Sequence, residues 1–179
     1  MSHMLLTGLP GVGKTTLIRE LAKRLADYHP AGFFTEEIRE EGVRKGFRLM
    51  SLDGRQLTTL AHSIHKGHYR VGRYGVDVDG FERLLPELNL RRSPSRMIII
   101  DEIGKMECLS RRFTDEVLAL LDSSKTVIAT IAFKGDGFIR QVKHRSDCRL
   151  ITVTRETRNS LADSLFTEVL KQIRTGDSR

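Results

Sequence analysis

A glycine-rich segment near the N-terminus has the spacing of a phosphate-binding loop. Residues 8–15 read GLPGVGKT and satisfy the pattern GxxxxGK[ST], between a short apolar run at 4–7 and a helical pattern of apolar residues. In such a loop the backbone N–H groups point inward, and the positive end of the following helix favours phosphate. We therefore expect the backbone itself to bind an anion. The residues predicted to surround it are Gly8, Leu9, Pro10, Gly11, Val12, Gly13, Lys14, Thr15 and Thr16.

Three polar side chains at the end of this loop have separate expected roles. Lys14 would reach the β- and γ-phosphates of a bound nucleotide, and the Thr15 hydroxyl would coordinate Mg²⁺. Thr16 is expected to hold the α-phosphate end. The pattern therefore predicts a nucleoside triphosphate as ligand and Mg²⁺ as cofactor.

A second candidate element is the acidic pair that closes an apolar run. Residues 97–100 are Met-Ile-Ile-Ile, typical of a parallel strand buried on both faces, and Asp101 and Glu102 follow directly. Ligands of parallel sheets collect at the carboxyl ends of the strands, where the glycine-rich loop also lies. We expect Asp101 to hold Mg²⁺ and Glu102 to orient or deprotonate the water that attacks the γ-phosphate.

Phosphoryl transfer usually requires a further cation near the transferring group. Four basic residues follow the acidic pair closely enough in sequence to be candidates: Lys105, Arg111, Arg112 and Lys134. Of these, Lys105 lies three residues beyond Glu102 and is taken as a catalytic candidate together with Lys14. The sequence leaves the choice among the four open.

Alternating strand and helix patterns place these motifs in an α/β fold. The predicted strands include 4–7, 97–100, 126–131 and 148–153, with helices between them. This order indicates a three-layer P-loop fold, in which a mostly parallel central sheet carries helices on both faces. The segments 32–35 and 46–51 predict a β-hairpin inserted after the first helix, and 58–80 is interpreted as a polar, glycine-punctuated stretch.

Composition narrows the class of protein. The 179 residues suit a single domain over 1–179, and no apolar run approaches the length of a membrane span. Cys108 and Cys148 lack metal-site spacing, so we expect reduced thiols and a cytoplasmic location. The net charge of +7 is compatible with nucleic acid, but the basic residues are scattered and aromatic residues make up only 6%. We expect a monomer for which nucleic-acid binding has weak support.

Taken together, these segments make the chain resemble the small P-loop nucleoside triphosphatases first recognised in thermophiles, which include the cancer-related nucleoside triphosphatase of animals. The resemblance covers nearly the whole chain. Two departures are Leu9, where a proline is more usual, and a region around Lys134 that looks shorter than in animal members. The blocks that carry the resemblance are 8–16, 32–39, 46–47, 52–54, 71–77, 81–82, 101–107 (DEIGKME) and 158–159.

The resemblance implies slow, Mg²⁺-dependent hydrolysis of the β–γ bond of several nucleoside triphosphates. It also implies that one further segment lines the nucleotide site, namely Ile98, Ile99, Ile100, Asp101, Glu102, Ile103, Gly104 and Lys105. Two alternatives stay open: a P-loop kinase that passes the γ-phosphate to a small acceptor, and an ATP-switched module that binds RNA or protein. The acidic pair 101–102 favours water activation over the kinase.

Overall fold

The computed structural model describes residues 3–176, and its side chains are described for residues 3–173. In this part of the chain, the strands are β1 His3–Thr7, β2 Ala31–Glu40, β3 Val43–Ser51, β4 Gln56–His62, β5 Tyr69–Val71, β6 Tyr74–Val76, β7 Met97–Ile103, β8 Thr126–Ile131 and β9 Cys148–Thr152. The helices are α1 Lys14–Arg24, α2 Val78–Leu88, α3 Arg111–Leu121, α4 Phe138–Lys143 and α5 Arg158–Gly176. The strand–helix alternation predicted from the sequence is confirmed.

Side-chain caps set where two of the helices begin. The Asp77 carboxylate accepts the backbone N–H of Gly80 at 2.9 Å at the start of α2. The Ser110 hydroxyl accepts that of Phe113 at 3.0 Å at the start of α3. Each cap pairs one of the backbone donors that a first helical turn leaves free. The start of α1 has no such side-chain cap, which leaves the N–H groups of its first turn available to a ligand.

The strands form one sheet in the order β5-β6-β4-β3-β2-β7-β8-β1-β9. The pairs from β2 to β9 are parallel, which confirms the predicted parallel arrangement for that half of the sheet. The pairs from β2 to β5 are antiparallel, so the sheet as a whole is mixed. The predicted hairpin exists as β2 and β3, and it extends the central sheet.

Helices cover both faces of the sheet. Ile98 and Ile100 of β7 pack in the core shared with α2 and α3, whereas Met97 and Ile99 pack in the core shared with α1 and α5. Successive side chains of a strand point to opposite faces, and so a strand between two cores must be apolar throughout. This explains the unbroken apolar run in the sequence.

The segment predicted as an irregular polar stretch, 58–80, is more ordered than expected. It contains most of β4, the short strands β5 and β6, and the first turn of α2. Strands as short as β5 and β6 leave too few positions for an alternating apolar pattern to be recognised. They are held by backbone pairing, β6 with β4 and β5 with β6. Within the described residues 3–176, no helix is both long and apolar enough to cross a membrane.

The strand β2 extends past the end of β7, its parallel neighbour, and projects beyond this edge of the sheet. Phe34 pairs with Asp101 near the end of β7, and β2 then continues to Glu40, paired with β3. At about 3.3 Å per residue, this overhang rises roughly 20 Å above the level of Asp101. A cavity therefore forms between the overhang and the carboxyl ends of β1, β7 and β8.

Candidate active site

A cavity of about 880 Å³ lies at this edge of the sheet. It is bounded by the glycine-rich loop, the overhanging hairpin, the residues after β7 and those after β8. The residues that line it are Gly8, Leu9, Pro10, Gly11, Gly13, Lys14, Thr15, Thr16, Arg19, Thr35, Glu36, Glu37, Arg44, Phe47, Val71, Asp101, Glu102, Gly104, Lys105, Met106, Glu107, Ala132, Phe133 and Lys134.

The glycine-rich loop curls around the lysine at its end. Lys14 is only 9% exposed, and its ammonium donates to the carbonyl oxygens of Gly8 at 3.0 Å and Leu9 at 3.3 Å. Gly13, with φ 106°, turns the chain into α1 in the left-handed region that glycine adopts most readily. The first turn of α1 carries no acidic residue. A positive side chain and a positive helix end therefore face the same space, as an anion requires.

Asp101 lies beside this loop in an almost dry environment. It is 2% exposed, and the Thr130 hydroxyl donates to its Oδ1 at 2.5 Å. Burial raises the pKa of Asp101, and the nearby hydroxyls of Thr130 and Thr15 partly offset that rise. Among the described residues, its Oδ2 is buried with no hydrogen-bond partner. A carboxylate oxygen without a partner is costly to bury unless something else completes it.

These residues fit a magnesium ion. Mg²⁺ is typically held by one or two carboxylates together with substrate phosphates and water, rather than by a cage of protein ligands. Asp101 and Thr15 supply such a partial site at the edge of the loop, and within residues 3–176 no three His, Cys, Asp or Glu side chains are grouped so that they could hold a metal alone. The unpartnered Oδ2 would gain its partner from the ion or from the water around it.

Glu102 is half-buried on the cavity wall next to Asp101. Burial is the main cause that raises the pKa of Glu102, followed by the negative charge of Asp101, while Lys14 and Lys143 act in the opposite direction. A carboxylate whose pKa is shifted towards neutrality is better suited to accept a proton than an exposed one. Lys143, which donates to the Phe133 carbonyl at 2.8 Å, has no motif that would have identified it in the sequence.

The structure separates the four candidate cations. Lys105 and Lys134 line the cavity and are exposed to it. Arg111 and Arg112 do not line it: Arg111 pairs with Asp115 at 3.9 Å, and Arg112 bonds to Glu82. Of the four candidates that the sequence left open, the two arginines therefore do not face the cavity, because α3 directs both towards solvent on its own side of the sheet.

A cation that the sequence analysis missed lies on the opposite wall. Arg19, from the second turn of α1, lines the cavity and donates to Glu36 at 3.2 and 3.3 Å. The Arg48 guanidinium, on β3, also donates to Glu36, at 2.7 Å, and so Glu36 connects α1 with the hairpin of β2 and β3. The two arginines lower the pKa of Glu36. Arg19 falls in the middle of an ordinary helical pattern, and only its packing against β2 brings it to the site.

Part of the segment predicted to contact the nucleotide lies in the core. The side chains of Ile98, Ile99, Ile100 and Ile103 are fully buried and do not line the cavity, and contact between this part of the segment and a nucleotide stays a prediction. They fill the two cores on either side of β7 and hold its end in position. Val12 likewise packs inward, against the core of α1 and α5. The other predicted site residues all line the cavity.

The fold and the site together define an α/β protein of the P-loop class, and comparison with known proteins gives the family. Residues 3–166 match the family model described as NTPase, and the chain belongs to this family. It is 43% identical to nucleoside-triphosphatase THEP1 of Thermotoga sp. (strain RQ2) over 94% of this chain and 95% of the relative. The human cancer-related nucleoside-triphosphatase is 38% identical, over 92% and 95% of the two chains. The crystal structure of THEP1 from Aquifex aeolicus superposes with a TM-score of 0.80, at 32% identity, over 91% of this chain and 96% of that one.

Proposed function

We propose that this protein is a Mg²⁺-dependent nucleoside triphosphate phosphohydrolase that cleaves the bond between the β- and γ-phosphates. The single observation that carries the proposal is that the glycine-rich loop with Lys14, the unpartnered Asp101 oxygen and the Glu102 carboxylate open onto one cavity. Membership of the NTPase family, with relatives named nucleoside-triphosphatases along nearly the whole chain, supports it.

In the proposed complex the loop binds the polyphosphate through its backbone amides. Lys14 exchanges its bonds to the Gly8 and Leu9 carbonyls for bonds to the β- and γ-phosphate oxygens, which are stronger because both partners are charged. Thr15 and Asp101 would hold Mg²⁺, and Thr16 the α-phosphate. When bound, Mg²⁺ neutralises charge on the β- and γ-phosphate oxygens.

Glu102 is the proposed general base. Its carboxylate accepts a proton from the attacking water as the new oxygen–phosphorus bond forms, and the bond from the γ-phosphorus to the bridging oxygen breaks. Lys105 and Lys134, on the cavity wall, are the candidates that stabilise charge on the transferring group. The products are a nucleoside diphosphate and inorganic phosphate.

Several broader properties belong to the same proposal. The site residues named above act on the phosphates, which all nucleoside triphosphates share, and this supports broad base tolerance. We also propose a single domain, a monomer and a cytoplasmic location, in keeping with the two free cysteines, which are partly buried and unpaired. Nucleic-acid binding keeps only the weak support that the net charge of +7 gives it.

The experiment is phosphate release from ATP, GTP, CTP and UTP, with Mg²⁺ or with a chelator. We expect phosphate release from all four nucleotides with Mg²⁺, and a rate at least about 100-fold lower with the chelator. The metal neutralises negative charge on the phosphate groups that the protein side chains alone do not neutralise. The same reaction, run with γ-labelled nucleoside triphosphate and nucleoside acceptors, distinguishes a hydrolase from the kinase alternative. Label that moves from the γ-phosphate to an acceptor, rather than to phosphate, would contradict hydrolysis as the main activity.

Matched lysine variants test which cation contributes. Lys105→Gln and Lys134→Gln remove charges that face the cavity, whereas Lys23→Gln removes an exposed charge of α1 that does not line it. We expect the Lys23 variant to hydrolyse at the wild-type rate and at least one of the other two to lose about 10-fold or more. Equal rates in all three variants would remove both lysines from the mechanism.

A further inference from the structure

A second buried carboxyl group lines the cavity and has no part in the mechanism above. Glu107 is 4% exposed and lies on the short helical turn Glu107–Leu109 that follows β7. The Thr35 hydroxyl, from the overhanging part of β2, donates to its Oε1 at 3.4 Å. Acidic side chains are almost never buried without a partner that compensates their charge, and so this position calls for an explanation.

Gly104 shows how close Glu107 comes to the proposed base. A Cβ atom on Gly104 would lie 2.7 Å from Glu107 Oε2 and 3.0 Å from Glu102 Oε1. The two carboxyl groups therefore flank the same glycine, and Oε2 is the Glu107 oxygen turned to that side while Oε1 faces Thr35. A side chain at position 104 would occupy the place where the two groups meet.

The surroundings of Glu107 favour its neutral form. Burial is the main cause that raises its pKa to about 8, and the negative charges of Glu102 and Asp101 raise it further, against the weaker effects of hydrogen bonds from its own backbone N–H and from the Thr35 hydroxyl. On the same turn, burial raises the pKa of the Cys108 thiol to about 12. From α3, which packs on this turn, Arg111 forms an ion pair with Asp115, and the Arg112 guanidinium donates to the backbone carbonyl of Glu82, so neither charge is directed at Glu107.

We propose that Glu107 is a positioning residue, which as a carboxylic acid donates from Oε2 a hydrogen bond that holds the Glu102 carboxylate, directly or through one water, in the orientation needed to receive a proton. This inference rests on the proposed role of Glu102. The Thr35 hydroxyl lies against the other oxygen of Glu107, which leaves Oε2, on the side of Gly104 and Glu102, to carry the proton. A neutral donor also avoids placing a second negative charge beside the base, where it would weaken the hold on a triphosphate.

The test compares Glu107→Gln with Glu107→Ala, each assayed for kcat and KM between pH 6 and 9.5. Glutamine keeps a donor of the same shape, and we expect its kcat at pH 7 within about 3-fold of wild type, while alanine loses about 10-fold or more in kcat with little change in KM. In the wild type, kcat/KM, which reports the ionisation of groups in the free enzyme, should fall above about pH 8 as Glu107 ionises, and this fall should be absent from the glutamine variant.

Two results would overturn the proposal. One is a glutamine variant as slow as the alanine variant at an unchanged melting temperature; the other is a glutamine variant that keeps the alkaline fall of the wild type. If the alanine variant does not fold, the glutamine pH profile still decides. Glu102→Gln, assayed in parallel, distinguishes failure of this proposal from failure of the proposed function. Full activity of the Glu102 variant would show that Glu102 is not the base. If the Glu102 variant loses activity but the Glu107 variants give either result above, only the positioning role of Glu107 is removed.

Discussion

Replacement of Glu107 by glutamine should change how the stability of the free protein depends on pH. The folded protein holds the Glu107 proton up to about pH 8, whereas an exposed glutamate releases it near 4.5. Between these values the folded state binds more protons than the unfolded state, so the free energy of unfolding falls as pH rises, by about 1.4 kcal/mol per pH unit. At pH 7.5 the loss reaches about 4 kcal/mol as an upper limit.

Glutamine has no proton to lose in this range, and the variant should escape this loss. The substitution also removes a group beside Glu102 that would become negatively charged at high pH, and this too makes the variant more stable relative to wild type as pH rises. The new amide needs partners of its own, but that cost does not vary with pH. The difference in unfolding free energy, variant minus wild type, should therefore rise with pH, by about 2 to 4 kcal/mol between pH 5 and pH 8.5.

Urea unfolding at pH 5, 6.5, 7.5 and 8.5, without nucleotide and with a chelator, measures this difference. Glu82→Gln is the matched control, because Glu82 is a glutamate on α2, outside the cavity, that bonds to Ser110. Its difference from wild type at each pH is the baseline with which the Glu107 difference is compared. A constant difference for the Glu107 variant would refute the reasoning, since it would mean that Glu107 ionises in the folded protein as readily as in the unfolded chain.

Three further substitutions have expected outcomes. Gly104→Ala would push the two neighbouring carboxyl groups apart, and we expect kcat to fall about 10-fold or more while calorimetry finds nucleotide affinity within about 3-fold of wild type. Gly32→Ala would place a Cβ 1.8 Å from the Ile99 carbonyl oxygen at a φ of +146°, and urea unfolding should show a loss of about 3 kcal/mol or more. Lys14→Ala should weaken triphosphate binding and hydrolysis together, and full activity in that variant would contradict the phosphate-binding loop.

Much of the fold could be predicted because its signals are local. A strand buried on both faces must be apolar throughout, and this made β7 and β8 recognisable from residues 97–100 and 126–131. The glycine-rich loop follows a fixed pattern between a strand and a helix, so Lys14 and Thr15 could be placed without coordinates. The same logic placed Asp101 beside them, at the end of a neighbouring strand.

The remaining features depend on contacts between segments far apart in sequence. Arg19 and Glu107 line the cavity from different elements, and neither the helical pattern around Arg19 nor the block 101–107 indicates from which side each reaches it. The overhang of β2 follows from its pairing with β3 beyond the end of β7, a matter of register that composition does not reveal. The resemblance implied the contact segment 98–105, in which the end of β7 and the residues after it face the cavity while the isoleucines face the cores, a division that requires the structure.

The most direct test of the account is single-turnover hydrolysis by Glu102→Gln, with nucleotide affinity measured on the same preparation. The substitution keeps the shape of the side chain but removes its capacity to accept a proton. We predict that Mg·ATP binds within about 3-fold of the wild-type affinity while γ-phosphate release falls about 100-fold or more. Release at the wild-type rate from bound Mg·ATP would contradict the assignment of Glu102 as the base at the phosphate-binding loop.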